Sequence, residues 1–181
     1  MAAHRRIALT KGVILALLLD AYRRRDRVSL TIFRDTHAEL VLPPTNSVDL
    51  AEQRIRVLPT GGKTPLAGAL QFATDLLRRC TQRDSSSSQL VILLTDGRAN
   101  TGSQGQHPFQ EALASATHLR GIACQLTTPL ILVDCQQGNQ RLPFVQQLSA
   151  ALGANLLTLD QLAALPAFHS ATPILTPPVT H

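Results

Sequence analysis

The spacing of apolar and polar residues along the chain predicts alternating helices and strands. Ile7 to about Arg24 repeats apolar residues at helical intervals, with a wide apolar surface suited to packing on a sheet. Two strand patterns follow, Val28–Phe33 and Ala38–Leu42, joined by a short polar link. Pro43–Pro44 is predicted to end the second strand. This returning strand would be the antiparallel edge of a sheet.

The rest of the chain continues the alternation. Gln89–Thr95 and Pro129–Asp134 are continuously apolar, which is typical of strands buried on both faces of a parallel sheet. The other predicted elements are a short helix capped by Ser47 and ending near Val57, helices from Pro65 to about Thr81 and from about Pro108 to Arg120, a helix Leu142–Leu152 stopped by Gly153, a strand Ala154–Leu159 and a helix Asp160–Leu165. Together they predict an α/β fold with a mostly parallel sheet. We expect one domain at 1–165 and a loose Pro- and Thr-rich tail at 166–181.

Composition narrows the range of partners. Aromatic residues make up 3% of the chain, with no Trp, so stacking platforms for single-stranded nucleic acid are scarce. The net charge is +5, and arginines occur in short runs such as Arg23–Arg25. Such runs suit an acidic partner, or they are solvated helix ends favoured by the helix dipole. No nucleic-acid motif accompanies them, so we predict no nucleic-acid partner.

The cysteines and the first apolar run predict a cytoplasmic protein without a membrane partner. Three unclustered cysteines, Cys80, Cys124 and Cys135, favour free thiols in a reducing compartment. The apolar run Val13–Leu19 resembles part of a signal peptide, but it lacks a small-residue cleavage site and is followed by Asp20. It is also too short to cross a bilayer. A cytoplasmic amphipathic helix is therefore the better interpretation.

The candidate chemistry lies where a buried strand ends on an acid, Asp96, which is followed by Gly97. In open α/β sheets, ligands bind beyond the carboxyl ends of the strands. A second loop, Thr60 to Leu66, presents the hydroxyl of Thr64 just before a helix. A hydroxyl and a carboxylate are oxygen ligands of the kind that Mg²⁺ prefers. The two loops therefore predict a divalent-cation site.

Other interpretations of these loops stay open or fit worse. Asp96 could cap the loop that follows it, or it could pair with a nearby arginine such as Arg98. The letters "GGKT" suggest a phosphate-binding P-loop, but Val57 stands where that motif requires glycine. No serine-hydrolase elbow or dinucleotide fingerprint is present. No catalytic residue can be named.

Four segments in order, "DRVSLTIF", "ELVLPPTNS", "LPTGGKTPLAGAL" and "LLTDGRAN", carry a family resemblance over roughly Met1 to Leu165. They resemble the von Willebrand factor A (integrin I-like) domain of the magnesium chelatase D subunit family. The resemblance implies a doubly wound, mostly parallel sheet with helices on both faces and one antiparallel edge strand. It also implies a metal-ion-dependent adhesion site that holds Mg²⁺, with Mn²⁺ as an alternative.

Carried over by position, the family's metal ligands include Thr64 and Asp96, the latter acting through water. Gly61, Gly62 and Gly97 would shape the metal loops, and Lys63 stands where relatives often have a further glycine. Lys63 and Arg98 would face a partner. The family's D-x-S-x-S ligands and its first, central strand precede the position at which this chain begins, so we expect weakened or lost metal binding. We favour the explanation that this sequence is truncated at its N-terminus. The alternative is a genuine short protein whose sheet is completed in another way.

The resemblance implies an interaction domain rather than a catalyst. Its complex would insert Mg²⁺ into a tetrapyrrole with the energy of ATP, or cobalt in a related chelatase. Expected partners are the AAA+ ATPase subunit and the large porphyrin-binding subunit, one of which would complete the metal site with an acidic residue. The competing hypothesis is a truncated or decayed domain that binds no metal.

Overall fold

The computed structural model describes residues 2–34, 37–58, 63–99, 107–136 and 143–164. The helices and strands within these ranges follow the alternation that the sequence predicts, so the α/β class is confirmed. The domain boundary at 165 and the tail at 166–181 lie outside the described residues. In chain order the elements are α1 Ala2–Arg23, β1 Val28–Arg34, β2 His37–Thr45, α2 Val48–Arg56, α3 Leu66–Arg83, β3 Val91–Thr95, α4 Pro108–Gln125, β4 Leu130–Asp134, α5 Phe144–Leu152, β5 Asn155–Thr158 and α6 Leu159–Ala164.

The strands form two separate sheets. β1 and β2 make an antiparallel pair, while β3, β4 and β5 form a parallel sheet in that order. Leu93 faces Leu132 across β3 and β4, and Leu132 faces Leu156 across β4 and β5. Within the described residues, no strand pairs with the second edge of β1 or of β3. Among the described strands, β1 and β3 therefore each have one unpaired edge.

The prolines of β2 do not end the strand, so this prediction was wrong. β2 continues through Pro43 and Pro44 to Thr45, which pairs with Val28. The register shifts between the Val28 pair and the Leu30 pair, and both prolines are exposed. Proline is tolerated on an edge strand because its missing N–H can face solvent, and a bulge relieves the local pairing.

The prediction that β3 is buried on both faces was also wrong. Residues 91–94 of β3 are all partly exposed, whereas Leu132 and Val133 of β4 are fully buried. Both strands are continuously apolar, but β4 has a neighbour on each side and β3 has one described neighbour. The open edge of β3 leaves its side chains accessible.

Helices cover both faces of the parallel sheet, as expected for a doubly wound fold. On one face, Leu70 of α3, Leu119 of α4 and Leu148 of α5 pack in one cluster with Leu132. Val133, the next residue of β4, points the opposite way, into a cluster with side chains of α1 and α6. This alternation follows from the two-residue period of a strand. α1 also packs on α2 and β2, and so connects the two sheets.

Local signals set several element ends as predicted. The hydroxyl of Ser47 accepts a hydrogen bond from the amide of Leu50 at 3.3 Å and caps α2. Gly153 ends α5 in the left-handed conformation, with φ of 61°.

The three cysteines are free thiols, as expected. No helix in the described part of the chain combines the length and hydropathy needed to cross a membrane.

Candidate metal and docking site

A tight turn at the end of β3 presents Asp96. Thr95, the last residue of the strand, is 5% exposed, and its hydroxyl oxygen accepts a hydrogen bond from the buried amide of Gly97 at 3.1 Å. Gly97 has a φ of 75°, a conformation that side chains other than that of glycine adopt at a cost. Strand, hydroxyl and glycine together set the backbone of the turn that carries Asp96. The role of Gly97 in shaping a metal-binding loop stays a prediction.

The carboxylate of Asp96 makes both contacts that the alternative interpretations predicted. One oxygen, Oδ1, accepts a hydrogen bond from the backbone amide of Arg98 at 3.2 Å. The other, Oδ2, lies 3.5 Å from Nε of the same arginine. The side chains of Asp96 and Arg98 are 33% and 59% exposed. Asp96 therefore supports its own loop and still has an accessible surface.

Thr64 lies just before α3. The helix begins at Leu66, with Pro65 as its N-cap at φ −82° and ψ 66°, one residue later than the predicted start. The helical hydrogen bonds start at once, because the amide of Ala69 donates to the carbonyl of Pro65 at 3.0 Å. Thr64 is half-buried and Lys63 is exposed. Gly61 and Gly62 lie outside the described residues.

The predicted residues of the two loops share one cleft. Thr64, Asp96, Lys63 and Arg98 all line a cavity of about 700 Å³, which is also lined by β1, β3 and α3. These four side chains belong to loops more than thirty residues apart in sequence. The fold thus brings residues of both loops to the lining of one cavity.

Thr64 and Asp96 supply suitable ligand atoms for a divalent cation, but they fill only part of its coordination shell. Thr64 offers a hydroxyl and Asp96 a carboxylate, and both are hard oxygen ligands of the type that Mg²⁺ and Mn²⁺ accept. Among the described residues, no group of three or more His, Cys, Asp or Glu side chains is close enough to hold a metal ion. Two protein ligands supply a minority of an octahedral shell. The remaining ligands of such a shell would come from groups other than these two side chains.

A second carboxylate at this edge of the sheet, Asp134, was not singled out by the sequence analysis. It ends β4 in register with Thr95 and is 4% exposed. Its Oδ1 accepts a hydrogen bond from the amide of Gln136 at 2.8 Å, so it holds the loop after β4. The signal in the sequence was the same one that revealed Asp96, an apolar strand that ends on an acid.

Comparison with known proteins places the chain in a family. Residues 1–98 match the family model of the von Willebrand factor type A domain. Two solved structures share the fold at 12% sequence identity. One is the SpRpn10 VWA domain, with a TM-score of 0.62 over 86% of this chain and 81% of that chain. The other is the protein BatB from Bacteroides thetaiotaomicron, with a TM-score of 0.59 over 84% and 78%.

Curated relatives are closer in sequence. The uncharacterized protein Rv2850c of Mycobacterium tuberculosis is 41% identical over 166 residues, which are 91% of this chain and 25% of that protein. The magnesium-chelatase 60 kDa subunit of Cereibacter sphaeroides is 37% identical over 164 residues, which are 88% of this chain and 28% of the subunit. The chain thus spans about a quarter of the length of these two relatives. It belongs to the von Willebrand factor type A domain family, as a domain related to magnesium-chelatase subunits.

Proposed function

We propose that this domain is a non-catalytic interaction domain of an ATP-dependent magnesium chelatase. It docks on a partner subunit at the carboxyl end of β3, through a divalent cation, Mg²⁺ or Mn²⁺. The observation that carries the proposal is that Thr64 and Asp96, from loops distant in sequence, line one cavity. The similarity to chelatase subunits supports the type of complex.

The chemistry of docking follows from the coordination positions that Thr64 and Asp96 leave open. Thr64 would hold the cation with its hydroxyl oxygen, and the Asp96 carboxylate would hold it through water. An acidic side chain of the partner fills an open position, so the ion joins the two proteins. Breaking the ion pair between Asp96 and Arg98 for this role would cost little stability, because a solvent-exposed ion pair contributes only about 0–1 kcal/mol.

The partners are the AAA+ ATPase subunit and the large porphyrin-binding subunit of the chelatase. A contact whose strength differs between nucleotide states of the ATPase would couple its motion to metal insertion. The choice of the inserted metal, magnesium or cobalt, then belongs to subunits that hold the tetrapyrrole. This domain contributes recognition only.

A second, metal-independent mode is favoured by the contacts of Asp96. Because both of its carboxylate oxygens already face Arg98, the domain can present the largely exposed guanidinium to a partner without any ion. Lys63 lines the same cleft and adds to the positive charge. An acidic partner surface would then bind this pair of cations directly.

Thermal unfolding with added MgCl₂ or MnCl₂ tests the metal. Asp96→Asn is the informative variant, because its amide oxygen can still accept the hydrogen bond from Arg98 while the charge is lost. Asp75→Asn, at an exposed position of α3 that does not line the cleft, is the matched control. We expect the cation to raise the melting temperature of the wild type and of Asp75→Asn, and not that of Asp96→Asn. Equal rises in all three proteins would exclude Asp96 as a ligand.

Binding to the purified AAA+ subunit distinguishes the two docking modes. Metal-dependent docking is abolished by EDTA and by Asp96→Asn. Metal-independent docking survives EDTA and is weakened by Arg98→Ala. Binding that is insensitive to EDTA and to both substitutions would place the interface elsewhere on the domain.

A further inference from the structure

A side-chain hydrogen bond joins α1 to the Thr64 loop, which comprises residues 59–65. The ammonium nitrogen Nζ of Lys11 donates to the backbone carbonyl of Leu58 at 3.1 Å, across 47 positions of sequence. Leu58 follows Val57, the C-cap of α2, and comes directly before the loop. Lys11 therefore holds the chain at the point where it leaves α2 and enters the Thr64 loop.

Three contacts fix Leu58. Its amide donates to the carbonyl of Ile55 at 3.2 Å, and its side chain packs on a buried cluster that includes Leu18 and Leu42. Its carbonyl lies at the end of a helix, where the last backbone acceptors have no partner within the helix. The Lys11 ammonium supplies a donor there and also complements the negative end of the helix dipole. A residue of α1 thus caps α2.

The other end of the Thr64 loop is anchored by α3. Leu66, the first residue of that helix, is fully buried, and the amide of Ala69 donates to the carbonyl of Pro65 at 3.0 Å. Thr64 comes directly before Pro65 in the sequence. Loss of the Lys11 contact would therefore release the entry of the loop, while α3 would still hold its exit.

The charge of Lys11 and its hydrogen bond would act on a metal site in opposite directions. Lys11 and Leu58 line the same cavity as Thr64 and Asp96. A positive charge near a bound cation repels it, so the ammonium charge alone would weaken metal binding. A hydrogen bond that orders the loop of a metal ligand strengthens binding, because the ligand is already in place. The sign of the change on removing Lys11 therefore distinguishes the two effects.

We propose that Lys11 is a positioning residue for the candidate metal site. Through Leu58 it holds the Thr64 loop against α1, and this contact keeps the Thr64 hydroxyl in place for the cation. Lys11 itself contacts neither the cation nor the partner in this role. The inference rests on the proposed function, which assigns Thr64 to the metal, but the hold on the loop can be tested without a metal.

Titration of the complete chain with Mn²⁺, followed by electron paramagnetic resonance of the free ion, tests the role in binding. Lys11→Met keeps the apolar stem and removes the donor and the charge, whereas Lys11→Arg keeps both. Arg23→Met, at the exposed end of α1, is the control for loss of one charge from the same helix. We expect Lys11→Met to bind Mn²⁺ about tenfold more weakly, and the other two variants to match the wild type. Unchanged or tighter binding by Lys11→Met, or an equal loss in Arg23→Met, would overturn the proposal.

Limited trypsin digestion in EDTA tests the hold on the loop. Lys63 is exposed, so cleavage between Lys63 and Thr64 reports on the order of the loop, and cleavage after the exposed Arg25 is the internal reference. Lys11→Met should speed cleavage at Lys63 and leave cleavage at Arg25 unchanged. Equal acceleration at both sites, or none at Lys63, would contradict the proposal. If the wild type binds no Mn²⁺, the proposed function fails, and the digestion alone decides whether Lys11 holds the loop. Lys11→Ala replaces Lys11→Met in both experiments if the latter does not fold.

Discussion

The turn that presents Asp96 depends on one buried hydrogen bond, and Thr95→Val removes it. Valine matches the shape of threonine but has no hydroxyl. In the native turn, the Thr95 hydroxyl is the acceptor for the Gly97 amide at 3.1 Å, and both residues are buried. The substitution therefore leaves a buried N–H without its partner while the apolar packing is kept.

The expected loss can be worked out from this geometry. A buried donor left unpaired costs about 1–3 kcal/mol. With a urea m-value of about 2 kcal/mol per M for a small domain, a loss of about 2 kcal/mol lowers the unfolding midpoint by about 1 M. Thr95→Ser is the control, because it keeps the hydroxyl and loses one methyl group, worth about 0.8 kcal/mol.

Urea unfolding followed by circular dichroism measures the stability, and hydrogen exchange identifies the cause. We expect exchange at the Gly97 amide to accelerate in Thr95→Val and to stay at the wild-type rate in Thr95→Ser. Because Asp96 sits between the two bonded residues, Thr95→Val should also weaken any binding that uses Asp96. Unchanged Gly97 exchange in the valine variant would refute the reasoning, whatever the midpoint shows.

Two further predictions concern surface positions. Hydrogen bonds from the hydroxyls of Ser87 and Ser86 lower the pKa of Asp84 from 3.8 to about 2, so its ionised form stabilises the fold above pH 3.8 and this contribution is lost as the pH falls toward 2. Asp84→Asn should therefore unfold at a lower urea concentration than the wild type at pH 5, and the difference between the two midpoints should shrink toward pH 2. A difference that stays constant with pH would contradict this prediction. Gly153→Ala should lower the free energy of unfolding by about 1–2 kcal/mol, because φ is 61° at this position. The new Cβ would also lie 3.0 Å from Nε of Arg120, but that side chain is exposed and can move. Gly153→Asn should cost less because asparagine tolerates this conformation, and equal losses by thermal unfolding would argue against a backbone cause.

Much of the candidate site could be predicted from sequence because its parts are local. An apolar run that ends on an acid marks Asp96, and a threonine before a helix marks Thr64. Both residues line one cavity in the structure, and their joint binding of a metal stays a prediction. The contact between Asp96 and Arg98 was open among several alternatives, because a side chain two residues away can reach the carboxylate or extend into solvent. Only the turn geometry decides this.

The sequence by itself determined the order of helices and strands, the cap at Ser47, the stop at Gly153 and the family, because these depend on neighbouring residues or on short motifs. The tertiary structure alone decided how the strands are paired. β3 and β4 have the same apolar pattern, yet residues 91–94 of β3 are partly exposed while most of β4 is buried, since burial depends on which strands lie alongside. For the same reason, β2 keeps its pairing through two prolines. Periodicity records which side chains are apolar, and distant parts of the chain determine what covers them.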